Sequence, residues 1–424
     1  MSDSTFIKRQ ITQIRQGGRP MVAHKFNRAF RALLRISRRL PLYALAISAV
    51  IVIRLIRPWL LVRVGGLGSS RIGHFAGNTE LYLCERDAGI NVPKERHVDL
   101  FYMDRLICNQ QLATMWKRLL HVWPSWILGR ISRVNRLIPG GTIHEIGHNT
   151  QNDRDVHNLL DRFPAYLSFT PEEDKKGYFA LQDIGISDAT PFVCLHSRDS
   201  AYLDATYLHM DWHYHDYLDN NIENYILAAE ELTSKGYPVL RMGAVVEKRL
   251  KTISPGIIDY AANYRSDFMD IYLEAKCFFY LGSSSGLNAV PMVFRRPRAI
   301  ANFAALEYVS SWSSNDLFIP KKLWLVKEHR FMTFREILES GVGRFLKTEQ
   351  YNRKGLELIE NTPEEIKDLA IEMDERLKGK WQTTKEDERL QDIFWSLFKS
   401  SELHGTLKAR IGADFLRQNI DLLK

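Results

Sequence analysis

The 424-residue chain predicts an α/β protein whose second half is a doubly wound parallel sheet. Three observations lead there. Phe192-Val-Cys-Leu195 and Cys277-Phe-Phe-Tyr-Leu281 are uninterrupted apolar runs, the pattern of strands buried on both faces. Helical patterns alternate with such strands: Ile222 to Ser234 closed by Gly236, and Asp267 to Ala275 capped by Ser266. Three strands then end in polar groups: His196, Arg198 and Asp199; Arg241 and Gly243; and Gly282-Ser283-Ser284-Ser285-Gly286. Open α/β sheets bind their ligands at that edge.

The basic charge is local. Net charge is +8, yet residues 1–40 carry ten Lys and Arg against one acid, Asp3, and the remaining 384 residues are close to neutral. A nucleic-acid binder would spread cations over a folded face, so that class is excluded. Arg28, Arg31, Arg35, Arg38 and Arg39 recur beside Phe30, Leu33, Leu34 and Ile36, as in a basic amphipathic helix on anionic lipid. Residues 41–53 follow as thirteen uncharged residues, short for a membrane span, before Arg54 and Arg57. The expectation is a membrane-associating arm over 1–57, with Arg54 and Arg57 snorkelling and the body on the cytoplasmic face of a bacterial inner membrane. Burial of 41–56 against the first sheet is the alternative. Four scattered cysteines without a CxxC indicate neither a disulfide framework nor a zinc knuckle.

In chain order, Trp59 to Val64 reads as a strand entering the loop Gly65-Gly66-Leu67-Gly68-Ser69-Ser70-Arg71-Ile72-Gly73, then a helix to about Asp87 ended by Gly89. Strand, glycine-rich loop and helix can present backbone N–H groups to an anion, although neither GxxxxGK[ST] nor GxGxxG fits. His97 to Met103 is a strand and Gln110 to His121 a helix. Thr170-Pro-Glu-Glu173 is a capping box, and the domain boundary is placed there. The expected domains are 58–169 and 170–330, each Rossmann-like, with a helical extension over 331–424. The stretch Tyr207 to Tyr217, crowded with His and Asp, reads as a loop over the cleft in preference to a metal site.

The convergent strand ends suggest a phosphorylated ligand. Arg198 supplies a guanidinium able to hold a phosphate through two parallel hydrogen bonds, Arg241 a second charge, and Ser283 to Gly286 neutral donors. For each alone a structural role is open: an Arg198–Asp199 pair, an exposed Arg241, or serines that cap a helix.

These residues also carry a resemblance. HSRD at 196–199 resembles the His-x-Arg signature of the α1,6- and protein O-fucosyltransferases, whose arginine binds the nucleotide diphosphate. The stretch 266–286, with Ala289-Val-Pro291, is similar to the part of lipopolysaccharide heptosyltransferases and fucosyltransferases where a strand delivers a Ser/Gly loop to the donor phosphates. Residues 60–75 resemble the opening strand and loop of the heptosyltransferases. The span from 58 to 330 resembles a bacterial family of glycosyltransferase type found near surface-polysaccharide genes. The resemblance implies a GT-B-like fold, two Rossmann-like domains facing across a cleft, with donor in the C-terminal and acceptor in the N-terminal domain. It implies a nucleotide-sugar donor (a GDP-sugar favoured), a glycan or lipid-linked acceptor, and neither a metal nor a cofactor. It places His196, Arg198, Asp199, Arg241, Gly243, Ser283, Ser284, Ser285 and Gly286 on the donor, and Gly66, Gly68, Ser69, Ser70 and Arg71 on the acceptor side. Inverting transfer needs a base for the acceptor hydroxyl. Ser69, Ser70 and Arg71 stand around the heptosyltransferase aspartate, so His74 is the first candidate and Glu80 the second, imidazole being suited to proton transfer near neutrality. The alternatives are a sugar-nucleotide epimerase and a non-catalytic, membrane-bound sugar-nucleotide binder.

Overall fold

The computed structural model describes residues 40–147, 154–187, 190–206, 211–399 and 401–424. The basic arm over 1–39 and residues Tyr207 to Met210 lie outside the described residues. The chain forms two compact units. One comprises the chain up to Gly66 with Pro93–Met103 and His121–Ile146, the other Leu67–Val92, Asp104–Leu120 and Gly147–Lys424.

In the first unit, β1 (Leu61–Leu67) pairs with β2 (His97–Met103). Helix Ser125–Leu137 and a helix over 40–56 pack through Ala46, Val50, Leu128, Ile131 and Val134, with Val64 of β1 in the same core. Arg63 and Asp99 form a buried ion pair across the two strands. Arg54 does not snorkel. Its guanidinium donates to the carbonyls of Pro139 (2.8 Å) and Ile138 (3.0 Å), neutralising the carboxyl end of helix Ser125–Leu137. Helix 40–56 thus buries one face, and among the described residues no helix is long and apolar enough to cross a membrane.

The glycine-rich run departs from its expected loop. Gly65, Gly66 and Leu67 continue β1, because Gly65 lies against Ile146 and Gly66 against the Tyr102 ring, where a Cβ would come within 3.0 and 3.2 Å. The helical run that follows, His74–Asn78 in π geometry and then Thr79–Asp87, belongs to the second unit, as does helix Gln110–Leu119. The expected doubly wound domain over 58–169 is therefore, among the described residues, a two-stranded sheet whose following helices fold elsewhere.

The second unit is built on β3 (Val193–His196), β4 (Val239–Arg241), β5 (Ile257–Ile258), β6 (Phe279–Ser283), β7 (Arg298–Phe303) and β8 (Asp316–Pro320). It continues through β9 (Lys322–Leu325), β10 (Arg330–Phe331), β11 (Leu356–Ile359) and β12 (Arg410–Ile411). The main sheet runs β12-β8-β7-β6-β3-β4-β5, with every neighbour parallel. It is the predicted parallel sheet, and its apolar strands are buried as their composition required. Helices Ile226–Ser234 and Pro363–Leu377 pack together, while Gln110–Leu119 and Pro171–Asp183 pack on Asp267–Lys276. The Thr170 capping box is present, with Glu173 N–H donating to Thr170 Oγ1 (3.2 Å) and Thr170 N–H to Glu173 Oε2 (2.9 Å).

The last ninety residues depart from the helical extension expected over 331–424. β9, β10 and β11 form a separate antiparallel sheet, and β12 completes the main sheet beside β8. A C-terminal segment joins the core that the sequence pattern closes near 330.

Candidate functional site

Chain order reverses between β3 and β6: from β3 the sheet grows outward to β4 and β5, then returns through β6 to β7, β8 and β12. A crevice opens outside the strand ends at such a reversal, and ligands of open α/β sheets bind there. A cavity of 760 Å³ occupies that position in the second unit. His196, Arg198, Asp199, Gly243, Ser284, Ser285 and Gly286 line it, as do Arg71 and His74.

Arg198 is held from two sides. Its backbone N–H donates to Ser283 Oγ (2.9 Å) and its Nε to Asp219 Oδ1 (3.1 Å). Neither Nη1 nor Nη2 has a protein hydrogen-bond partner among the described residues. The alternative pair with Asp199 does not form. Asp199 instead accepts from the N–H groups of Ala201 and Glu247, each at 3.1 Å. Burial pushes the Asp219 carboxyl up to about 6 against the opposing pull of Arg198. Behind it, Lys321 Nζ donates to the carbonyls of Asp219 (2.7 Å) and Tyr217 (3.2 Å), fastening the turn that carries Asp219. Burial pushes that ammonium down to about 8.

The β3–β6 seam joins the two strand ends. His196 and Gly282 are register partners, and a Cβ on Gly282 would lie 2.4 Å from the His196 carbonyl. Ser285 Oγ lies 3.3 Å from His196 Nδ1. Burial, reinforced by the charges of Arg241 and Arg198, pushes the His196 imidazole down to about 3. It is neutral at every physiological pH, offering hydrogen bonds and no charge.

Gly73 touches Gly286 backbone to backbone; a Cβ on Gly73 would lie 2.9 Å from Gly286 Cα. This contact brings Arg71 and His74 to the same wall as the serine loop. The His74 Nδ1 is buried without a hydrogen-bond partner among the described residues. The Arg71 guanidinium lies 5.0 Å from the centroid of the Trp212 ring, and Trp212 stacks on His215 at 6.0 Å. Trp212, His215 and Tyr217 line the cavity. Burial, with the charges of Arg198 and Arg71, pushes His215 down to about 4.

Seven expected positions lie elsewhere. Arg241 is 1% exposed within β4, paired with Asp259 at 3.1 Å, so its charge is neutralised inside the sheet. Ser283 is fully buried and serves Arg198 through its hydroxyl. Ser69 and Ser70 are tied to Asp104: Asp104 N–H donates to Ser69 Oγ (2.8 Å) and Ser70 Oγ to Asp104 Oδ2 (2.9 Å). Glu80 is fully buried on helix Thr79–Asp87, 2.8 Å from Arg295 Nη2. Burial pushes its carboxyl up to about 7 against the Arg295 charge, yet it does not line the cavity and cannot meet an acceptor there. Gly66 and Gly68 are sites of packing; a Cβ on Gly68 would lie 3.1 Å from the His74 Cβ.

Asp219 and Lys321 are the functional neighbours that sequence reasoning missed. They meet Arg198 and Tyr217 only through the fold, the Lys321–Asp219 bond spanning 102 residues. Among the described residues, the cluster with metal-ligand chemistry is Cys194, Glu274 and Cys277, all buried and none lining the cavity.

No protein-family model matches the chain, and no curated protein matches it. Solved structures similar to it include a glycosyl transferase family 9 protein from Veillonella parvula, at 10% identity and a TM-score of 0.36, covering 57% of this chain and 80% of that one. The ADP-heptose LPS heptosyltransferase II of E. coli aligns at 14% identity and a TM-score of 0.31, covering 56% of this chain and 84% of that one. The dodecameric iron-containing heptosyltransferase TibC, solved with ADP-D-β-D-heptose, aligns at 12% identity and a TM-score of 0.30, covering 58% and 60%. At these scores the likeness leaves the assignment to the chemistry of the cavity.

Proposed function

We propose that the cavity binds the diphosphate of a nucleotide-sugar and that the protein is a glycosyltransferase acting on a glycan or lipid-linked acceptor in bacterial surface-polysaccharide synthesis, at the cytoplasmic face of the membrane. Arg198 carries this assignment: it stands at the chain reversal, oriented by Asp219 through its Nε, and neither terminal nitrogen has a hydrogen-bond partner among the described residues. A guanidinium so held matches two phosphate oxygens. Ser284 and Ser285 add hydroxyl donors, and neutral His196 steadies Ser285 without a charge of its own.

In the transfer, the sugar–phosphate bond breaks as the acceptor oxygen bonds to the anomeric carbon, and the nucleoside diphosphate leaves as an anion. Arg198 stabilises that developing charge where it appears, which makes a metal unnecessary in this scheme. His74, whose Nδ1 has no hydrogen-bond partner among the described residues, takes the acceptor proton. A single displacement of this kind inverts the anomeric centre. An epimerase would need carboxylates held against the sugar; of the acids lining the cavity, Asp199 is engaged by two backbone N–H groups and Asp270 by Arg265 and Tyr260, which leaves the exposed Glu402.

Thermal unfolding in GDP, UDP, CMP or ADP tests the donor site. One nucleotide, GDP first, raises the melting temperature, because a ligand at a hundred times its Kd stabilises by ~2.7 kcal/mol. Arg198→Ala abolishes the rise, and His74→Ala keeps the rise while losing transfer. A melting temperature unmoved by every nucleotide, or a rise that survives Arg198→Ala, overturns the assignment.

A further inference from the structure

The helix over 40–56 presents two apolar faces, and the first unit covers one of them. Ala46, Val50 and Ile53 face helix Ser125–Leu137, whereas Leu40, Leu45, Ile47, Ile51, Val52 and Leu55 lie between 46% and 66% exposed. At 100° per residue these six form a stripe opposite the buried one. Trp59, 75% exposed, stands just beyond the helix end. Basic side chains stand at its C-terminal end and along one side, beside Tyr43. Arg57 follows it, and on helix Ser125–Leu137 the exposed Arg133 donates to the Tyr43 hydroxyl at 3.0 Å, whereas Arg136 one turn further is paired with Glu145 at 3.0 Å. The described residues of this unit hold eight Lys and Arg against three acids, and the preceding segment 1–39 adds ten against one.

We infer that this stripe is a lipid-docking face: the helix lies in the plane of an anionic bilayer with Leu40, Ile47, Ile51, Leu55 and Trp59 in the acyl boundary and arginines at the phosphates. The inference is independent of the nucleotide reading, since it concerns the first unit alone. Length excludes a span: the thirteen uncharged residues 41–53 extend ~20 Å, against ~30 Å of hydrocarbon. In-plane burial of an apolar stripe flanked by cations is the interfacial solution, and tryptophan favours the headgroup level. A second copy fits worse, because each unit would bring its own excess of positive charge to the contact. The two fates weighed for residues 41–56, insertion or packing on the body, thus belong to opposite faces of one helix.

Liposome flotation of the full-length protein tests it, with phosphatidylcholine vesicles and vesicles containing 30% phosphatidylglycerol. The protein floats with the anionic vesicles, less so in 1 M salt. Ile51→Glu/Leu55→Glu, substitutions on exposed side chains that leave the fold intact, lower the bound fraction at least tenfold. The nucleotide response of the same variant stays at the wild-type level, which separates this test from the donor site. Flotation unchanged in the double variant overturns the inference, as does a wild type that ignores both vesicles. A wild type that self-associates through Ile51 and Leu55 without binding lipid also overturns it.

Discussion

Acidification should weaken the folded protein through His196, and the size of the effect follows from its surroundings. Burial and two nearby guanidinium groups push the imidazole from 6.5 to about 3 in the folded chain. Below pH 6.5 the unfolded chain takes up a proton that the folded chain refuses, so this contribution to stability is lost as pH falls from 6.5 towards 3. Each unit of separation is worth ~1.4 kcal/mol, so moving to pH 5 costs ~2 kcal/mol. His196 borders a cavity that admits water, and screening there reduces the figure to about 1–2 kcal/mol. His196→Asn keeps a hydrogen-bonding amide towards Ser285 and removes the titration. Urea unfolding followed by tryptophan fluorescence at pH 7.5 and pH 5 should show the wild type losing about 1–2 kcal/mol more than this variant. Equal losses in the two proteins would refute the account, since His196 would then titrate as it does in an unfolded chain.

Two further substitutions separate structure from chemistry. Gly73→Ala places a Cβ 2.9 Å from Gly286 Cα and 3.1 Å from its carbonyl oxygen, backbone that yields only by moving the serine loop. It should cost about 1–3 kcal/mol in stability and weaken the nucleotide response with it, both read by thermal unfolding. Glu80→Gln leaves Arg295 without its buried counter-charge. Because burial already holds the Glu80 carboxyl up at about 7 and Arg295 keeps the carbonyls of Phe163, Pro164 and Val293, it should lower stability by only about 1 kcal/mol while the nucleotide-induced rise in melting temperature persists, where a loss of that rise would return Glu80 to the site.

The parallel sheet was legible because each central strand is a closed apolar run that stops at a polar residue. Val193 to His196 and Phe279 to Ser283 announce their own burial and their own carboxyl ends. The antiparallel strands Lys322–Leu325 and Leu356–Ile359 carry charges such as Lys322 and Glu357 in segments of four residues, too short for a strand period to show. Strand-end position alone misplaced Arg241: what decides its fate is Asp259, eighteen residues later in sequence and in contact only after folding. His74 and Glu80 illustrate a local limit. Six residues apart on a helical run they point to different sides, so one meets the cavity and the other the core. Arg198 was visible as a cation, while the geometry that makes it a ligand came from Asp219 and Lys321, which no local pattern connects to it.

The place of β12 at the rim of the main sheet bears on how the chain reaches its native state. β12 pairs with β8, ninety-three residues upstream at Arg410↔Leu317, and until that pairing forms the buried strand Asp316–Pro320 exposes an open apolar edge. Such an edge is a template for strands of other chains. Contacts this distant form late, because loop closure precedes their reward. Removal of residues beyond 403 would keep every cavity-lining residue in the chain and still produce a protein that aggregates during synthesis, with chaperone dependence rising before any change in ligand chemistry.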